Sequence, residues 1–226
     1  MKRKYKLILI ILISVVFTYL IYFWNSDDKL NIVSLGDGIA SGETSYNIDG
    51  LSYNNYIKDY YESKKLLKNY NDYSNKNYKL SELINDIKNN IKDDNNELQM
   101  KQVLHNADLI TICYGEEELT ALENSDDLDT EKLTKFLTSF ESLLYLLKDI
   151  STSKIVIVGL YENQYLDKSD IIILNSELSN LANRFNAVFI DISELMLDKE
   201  YFLDNKTLYF SYKGHLEIAN MIIHSI

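Results

Sequence analysis

Apolar residues recur at three- and four-residue steps in several stretches of the chain, which is the spacing of one buried helical face. This spacing predicts a helix at about 80–91, another at about 133–147 with Asp129 or Thr130 as its cap, and a third at about 170–185. A last helix is predicted from about Gly214 to His224. Each of these segments carries one apolar stripe, so each is expected to pack against a common core.

Four short apolar runs have the length and composition of buried strands. They are Asn31–Leu35, Leu109–Tyr114, Lys154–Leu160 and Ala187–Ile190. Strands that alternate with helices of this length predict a parallel sheet covered on both faces, a three-layer α/β/α domain. The stretches 64–79 and 88–96 are rich in Asn, Lys, Asp and Tyr, and we expect them to form solvated loops and helix surface.

The first residues of the chain differ from this pattern. Residues 1–6 carry four cations, and the eighteen residues from Leu7 to Trp24 carry no charge. About 20 apolar residues span a bilayer, so we interpret 7–24 as a transmembrane signal anchor, 25–30 as a linker and 31–226 as one domain. A cleaved signal peptide is less favoured because no small-residue cleavage site follows the run. A surface helix is less favoured because the run has no polar face.

Charge and composition exclude several function classes. The 226 residues have a net charge of -11, and without the four N-terminal cations residues 25–226 carry 19 Lys and Arg against 34 Asp and Glu, a net of -15. Nucleic acid needs a basic surface and is therefore not expected as a partner. Cys113 is the only cysteine, so no internal disulfide forms, and we expect no cofactor and no metal. By the rule that basic flanks stay inside, the N-terminus is expected to be cytoplasmic and the acidic domain extracytoplasmic.

Ligands of open parallel sheets bind outside the carboxyl ends of the strands. Three segments are expected there: Gly36–Gly42, Gly115–Leu119 and Leu203–His215. In this order they resemble the sequence blocks of the SGNH/GDSL hydrolase family. Residues 34–42 (SLGDGIASG) resemble its Gly-Asp-Ser block, residues 107–118 the strand that leads into Gly-x-Asn-Asp, and residues 209–219 the closing His-Pro-Asn-x-x-Gly-His run. The resemblance covers residues 31–226 and implies an SGNH-hydrolase-like, flavodoxin-like α/β/α domain.

The resemblance also implies where catalytic groups would stand, and each of those positions is substituted. The nucleophilic serine corresponds to Gly38, the base histidine to Tyr209 and the aspartate that orients it to Lys206. The oxyanion-binding glycine and asparagine correspond to Asn77 and Glu117. Glycine has no nucleophile, a phenol is a poor base near neutrality, and a carboxylate repels an oxyanion. The resemblance thus implies a pseudo-hydrolase that binds or docks an envelope component or partner protein through Asp37, Gly38, Gly115, Glu117 and Tyr209.

An active ester hydrolase with relocated residues remains the alternative. Ser41 with His215 would supply a nucleophile and a base, and Asp37 with Glu117 would supply a general acid and base or bind a divalent cation. The simpler interpretation of Asp37 is a hydrogen bond within its own turn, and that of His215 is packing or capping at a helix start. Cys113 lies inside an apolar strand and is expected to be a buried core residue.

Overall fold

Five strands lie side by side in one parallel sheet in the order β2-β1-β3-β4-β5. They are β1 (Leu30–Gly36), β2 (Leu67–Ser74), β3 (Leu109–Cys113), β4 (Lys154–Val158) and β5 (Val188–Ile190). The computed structural model describes residues 29–44, 49–92, 98–115, 130–162, 168–203 and 209–226, together with Ser14 and Tyr46. The predicted transmembrane segment 7–24 falls outside these ranges, apart from Ser14. Among the described residues, no helix combines the length and the apolarity needed to cross a bilayer.

Helices cover the sheet on both faces, as the alternating pattern predicts. The helices are α1 (Gly38–Ser41), α2 (Tyr53–Ser63), α3 (Leu80–Asn89), α4 (Met100–His105), α5 (Thr130–Ile150), α6 (Lys168–Arg184) and α7 (Tyr212–Ser225). Two short 3-10 turns, Ser193–Leu197 and Lys199–Tyr201, precede α7. The predicted helices near 80–91, 133–147, 170–185 and 214–224 are therefore confirmed, with shifts of a few residues at their ends.

Alternation along the strands separates two apolar cores. Val33, Ile110 and Ile155 face one side of the sheet and pack with α3, α4, α5 and α6. Ile32, Leu109 and Val156 face the other side and pack with α2 and α7. Successive strand side chains point to opposite faces, so each buried strand contributes to both cores and must be apolar throughout.

The prediction that residues 64–79 are solvated loop and helix surface is wrong, because Leu67–Ser74 forms β2. This strand lies at the edge of the sheet and pairs only with β1 among the described strands, so most of its side chains remain partly exposed and polar. Tyr70 links β2 to β1, because the Tyr70 hydroxyl accepts a hydrogen bond from Ser34 of β1 at 3.2 Å. The same hydroxyl donates a hydrogen bond to Asp72 at 3.0 Å. Helices α1, α2 and α4 were also not predicted.

Candidate functional site

The turn after β1 is fastened to the turn after β3. The Asp37 side chain is fully buried, and its carboxylate accepts a hydrogen bond from the backbone N–H of Gly115 at 2.9 Å. The Asp37 backbone N–H donates to the carbonyl of Cys113 at 3.0 Å. The bond expected within its own turn is thus made to the neighbouring strand end instead. Glu117, its proposed acid–base partner, lies outside the described residues.

Glycine is required at both strand ends that form this junction. A Cβ at Gly36 would collide with Ala40 and lie 2.7 Å from the carbonyl oxygen of Cys113. Gly115 has a φ of +142°, and a Cβ there would lie 3.0 Å from Leu160. A side chain at Gly36 would force β1 and β3 apart, and one at Gly115 would be strained by its positive φ and would press on Leu160. The two glycines therefore preserve the geometry of the strand-end site.

Gly38, Tyr209 and His215 are brought together at this edge of the sheet. With Ile39, Glu43, Tyr161 and Phe210 they line one small cavity of about 10 Å³. A cavity needs about 10–15 Å³ to hold a single water molecule, and ligand sites typically have about 300–1,000 Å³. The space between the positions of the family's nucleophile and base is therefore filled by protein atoms.

Aromatic rings fill that space. The rings of Tyr161 and Phe210 have centroids 4.7 Å apart, and Phe210 stacks on Phe202 at 4.9 Å. Phe210 also contacts His215 at 5.7 Å, and His215 stacks on Tyr53 at 6.5 Å. We call these five residues the aromatic plug. All five are buried, whereas the nearby Tyr212 is exposed.

His215 is buried and neutral. Its Nδ1 atom has no hydrogen-bond partner among the described residues, and burial lowers the pKa of the ring to about 4. A histidine with so low a pKa is a weak base at neutral pH. It does not pair with Ser41, whose hydroxyl donates instead to the carbonyl of Gly38 at 3.0 Å. The nucleophile–base pair required by the alternative hypothesis is not formed.

The other predicted positions lie elsewhere or are not described. Asn77 sits in the turn between β2 and α3 and lines a separate open cavity of about 480 Å³ together with Tyr73 and Tyr78, not the cavity of Gly38. Lys206 lies outside the described residues. Ser211 is a structural cap of α7, because its hydroxyl accepts from the N–H of Gly214 at 3.3 Å and donates to the carbonyl of Glu200 at 2.7 Å. Cys113 is buried, as expected.

Two residues that shape the site were missed in the sequence. Tyr161 lies just beyond the carboxyl end of β4, and this position after a predicted strand could have identified it as a site residue. Asn54 is buried in α2, where its amide donates to the carbonyl of Ala40 at 3.2 Å and accepts from Thr111 at 2.8 Å. It therefore links α1, α2 and β3 beneath the site, and its polar neighbours in sequence gave no sign of burial. Within the described part of the chain, no group of three or more acidic, histidine or cysteine side chains is placed to hold a metal ion.

Solved structures of similar fold include esterases and a lipase/acylhydrolase. An acetylxylan esterase from Geobacillus stearothermophilus matches with a TM-score of 0.64 and 15% identity, over 85% of this chain and 92% of that one. A lipase/acylhydrolase from Enterococcus faecalis matches with a TM-score of 0.62 and 16% identity, over 86% and 94%. A psychrotrophic esterase from Pseudoalteromonas sp. matches with a TM-score of 0.60 and 12% identity, over 86% of this chain and 94% of that one. No protein-family model and no curated protein matches the sequence. At these identities the likeness shows the fold alone.

Proposed function

We propose that this chain, whose fold is SGNH/GDSL hydrolase-like, is a membrane-anchored extracytoplasmic pseudo-hydrolase that docks an envelope component or partner protein. The observation that carries the proposal is the aromatic plug, which leaves about 10 Å³ beside Gly38. An acyl group has no room there, and Gly38 has no atom with which to attack it. Loss of the nucleophile or of the base lowers the rate of a serine protease such as subtilisin roughly a millionfold, so a fold with neither is expected to have little residual catalysis.

Docking is favoured over small-molecule binding by the surface around the plug. The segments next to the plug, at the carboxyl ends of the strands, expose several large apolar side chains. Tyr46 is 73% exposed and Leu51 58%, between α1 and α2, while Leu197 is 82% exposed and Leu203 40%, before α7. Contiguous exposed apolar side chains are typical of protein interaction sites, and we propose that these four belong to one. The proposed partner therefore contacts this edge without entering the sheet.

The membrane anchor is supported by the sequence of residues 1–24. An uncharged run of eighteen residues follows four cations, and a net charge of -15 lies beyond it. This arrangement favours a cytoplasmic N-terminus and an extracytoplasmic domain.

The proposal is tested by ester hydrolysis. Full-length protein in detergent is incubated with short-chain p-nitrophenyl esters and acetylated xylo-oligosaccharides, with the Geobacillus acetylxylan esterase as a positive control. We expect turnover no higher than that of a buffer blank. Turnover by the wild-type chain that is abolished by His215→Gln would contradict the proposal.

An ester hydrolase with relocated residues is the second candidate. It is favoured by the esterases among the proteins of similar fold and by the Nδ1 atom of His215, which has no hydrogen-bond partner among the described residues and lies in the cavity of Gly38. Activity that survives Ser41→Ala and His215→Gln individually would rule out this pair as its source. If both variants lose activity while their folded fraction is unchanged, Ser41 and His215 are the source of that activity.

A further inference from the structure

The short linker brings one edge of the domain close to the bilayer, if residues 7–24 are the proposed anchor. Five residues, 25–29, join Trp24 to Leu30, the first residue of β1. An extended chain covers at most about 3.3–3.6 Å per residue, so Leu30 lies within about 20 Å of the end of the anchor. This inference therefore rests on the anchor in the proposed function.

The direction of the strands determines which edge of the sheet lies near the bilayer. All five strands are parallel, so their first residues share one edge, which we call the proximal edge. β1 has seven residues and rises about 3.3 Å per residue, so the aromatic plug lies roughly 20 Å farther from the bilayer. An upright domain would present the plug to the space beyond the membrane.

A basic patch surrounds the point where the chain enters the domain. The backbone N–H of Leu30 donates to the carbonyl of Leu66 at 2.7 Å, and Leu30 pairs with Leu67. This places the turn between α2 and β2 beside the start of β1. The turn and its flanks expose four lysines around Leu66, which is itself 38% exposed. We call this set the entry patch: Lys29, Lys64, Lys65, Leu66 and Lys68.

Acidic residues near the entry patch offset part of its charge, and two of them, Asp27 and Asp28, directly precede Lys29 in the sequence. Asp108 is occupied, because its carboxylate accepts from both the backbone and the side-chain N–H groups of Asn31, at 2.8 and 3.0 Å. Glu62 lies in the last turn of α2. The helix dipole favours cations at the end of α2 and so accounts for Lys64 and Lys65. It does not account for Lys29 and Lys68, which flank the starts of strands.

We propose that the entry patch binds the headgroups of anionic phospholipids in the bilayer to which the chain is tethered. Each lysine near an anionic bilayer strengthens binding about fivefold. The rest of the acidic domain is repelled by the same surface. Attraction at the proximal edge and repulsion elsewhere hold the domain upright, with its docking edge directed away from the membrane.

The test measures orientation in the full-length chain. Because Cys113 is fully buried, one added cysteine can be labelled selectively with a fluorophore. Lys64→Cys reports on the entry patch, and Lys199→Cys, an exposed site in the second 3-10 turn, is the matched control at the far edge. The proteins are reconstituted into vesicles of phosphatidylcholine, with or without phosphatidylglycerol, that carry headgroup spin labels.

In vesicles with phosphatidylglycerol, we expect quenching at position 64 to exceed quenching at position 199 at least severalfold. The difference should be absent in pure phosphatidylcholine and should decrease at high salt. K29E and K68E introduced together into the Lys64→Cys protein should reduce it. Equal quenching at both positions, or the same quenching in pure phosphatidylcholine, overturns the inference while leaving the anchor intact. Release of the chain by sodium carbonate overturns both the anchor and this inference, whereas ester turnover bears only on the pseudo-hydrolase.

Discussion

The carboxylate of Asp37 accepts the backbone N–H of Gly115 at 2.9 Å, joining the ends of two neighbouring strands that are far apart in the sequence. In the SGNH/GDSL block this aspartate precedes the nucleophilic serine, and here it precedes Gly38. Its contact is structural, because it holds the turn after β1 against the turn after β3. The residue is therefore expected to contribute to the stability of the fold.

Asp37→Ala should destabilise the fold by about 2 kcal/mol, because the buried N–H of Gly115 loses its acceptor. Asp37→Asn should cost less, since an amide oxygen can still accept. Urea unfolding followed by circular dichroism measures both. Asp49→Ala, at an exposed position, is the control and should leave the unfolding midpoint unchanged. Equal stability of Asp37→Ala and wild type would contradict the structural role.

Because of His215, the free energy of unfolding should decrease as the pH is lowered. The folded ring has a pKa of about 4 and the unfolded ring has its ordinary value of 6.5, so below 6.5 the unfolded state binds the extra proton. The contribution of the neutral His215 to the free energy of unfolding is fully present above pH 6.5 and is lost as the pH falls towards 4. The total loss between these two pH values is about 3 kcal/mol. His215→Phe should flatten this part of the profile of unfolding free energy against pH. His224→Gln, at an exposed histidine, should leave it unchanged.

Removal of a ring from the aromatic plug should be costly. Phe210 contacts three other members of the plug and is 4% exposed, so Phe210→Ala should lower the unfolding free energy by about 3–5 kcal/mol. Tyr212→Ala, which truncates a ring that is 64% exposed, should change it by less than about 1 kcal/mol. Thermal melts of both variants make the comparison. Similar losses would show that the plug is not packed as described.

Gly214 allows α7 to approach the second 3-10 turn. A Cβ there would collide with the carbonyl of Tyr201 and lie 2.6 Å from the Phe210 ring. Gly214→Ala should therefore destabilise the protein by about 1–3 kcal/mol, although alanine favours helix. Gly50→Ala is the control, since its Cβ would make only ordinary contacts, the nearest at 3.4 Å from Thr44. A Gly214→Ala variant as stable as the Gly50→Ala variant would be the contrary result.

Gly38→Ser restores the nucleophile of the family pattern and should still give no hydrolysis. The position of the base is Tyr209, a phenol, and the cavity beside it remains filled. A fluorophosphonate probe, which labels activated serines, measures this directly. Ser41→Ala in the same background removes the nearby hydroxyl as a source of signal. Labelling of Gly38→Ser at the rate of an active esterase would mean that the site retains a working base.

The sequence predicted the buried part of the fold better than its edges. Strands β1, β3, β4 and β5 are apolar because helices cover both of their faces, and that composition is visible in the chain. β2 escaped detection because its outer side faces solvent, so its eight residues include lysine, asparagine and aspartate. Its pairing with β1 depends on backbone hydrogen bonds and on Tyr70, which composition does not reveal.

The site was predicted in part. The motif pattern placed Gly38, Tyr209 and His215 at one edge, and the structure brings these three together. Tyr161 lines the small cavity, while Tyr53 packs against His215 and Phe202 against Phe210 behind it; these rings come from separate segments, and only the packed fold shows their contacts. Side chains that converge from distant segments leave no local periodicity to detect.

The position of β1 inside the sheet, between β2 and β3, has a consequence for the order of folding. Its partner β3 begins near Asp108, 77 residues beyond Asn31, and α7, at the other end of the domain, packs against α2. Contacts over such distances form slowly, because long loops must close before any contact energy is gained. During synthesis β1 emerges before its partner β3, so its pairing is completed late. The unfinished domain therefore leaves one side of β1 unpaired until β3 has been made, and one face of the sheet uncovered until α7 arrives.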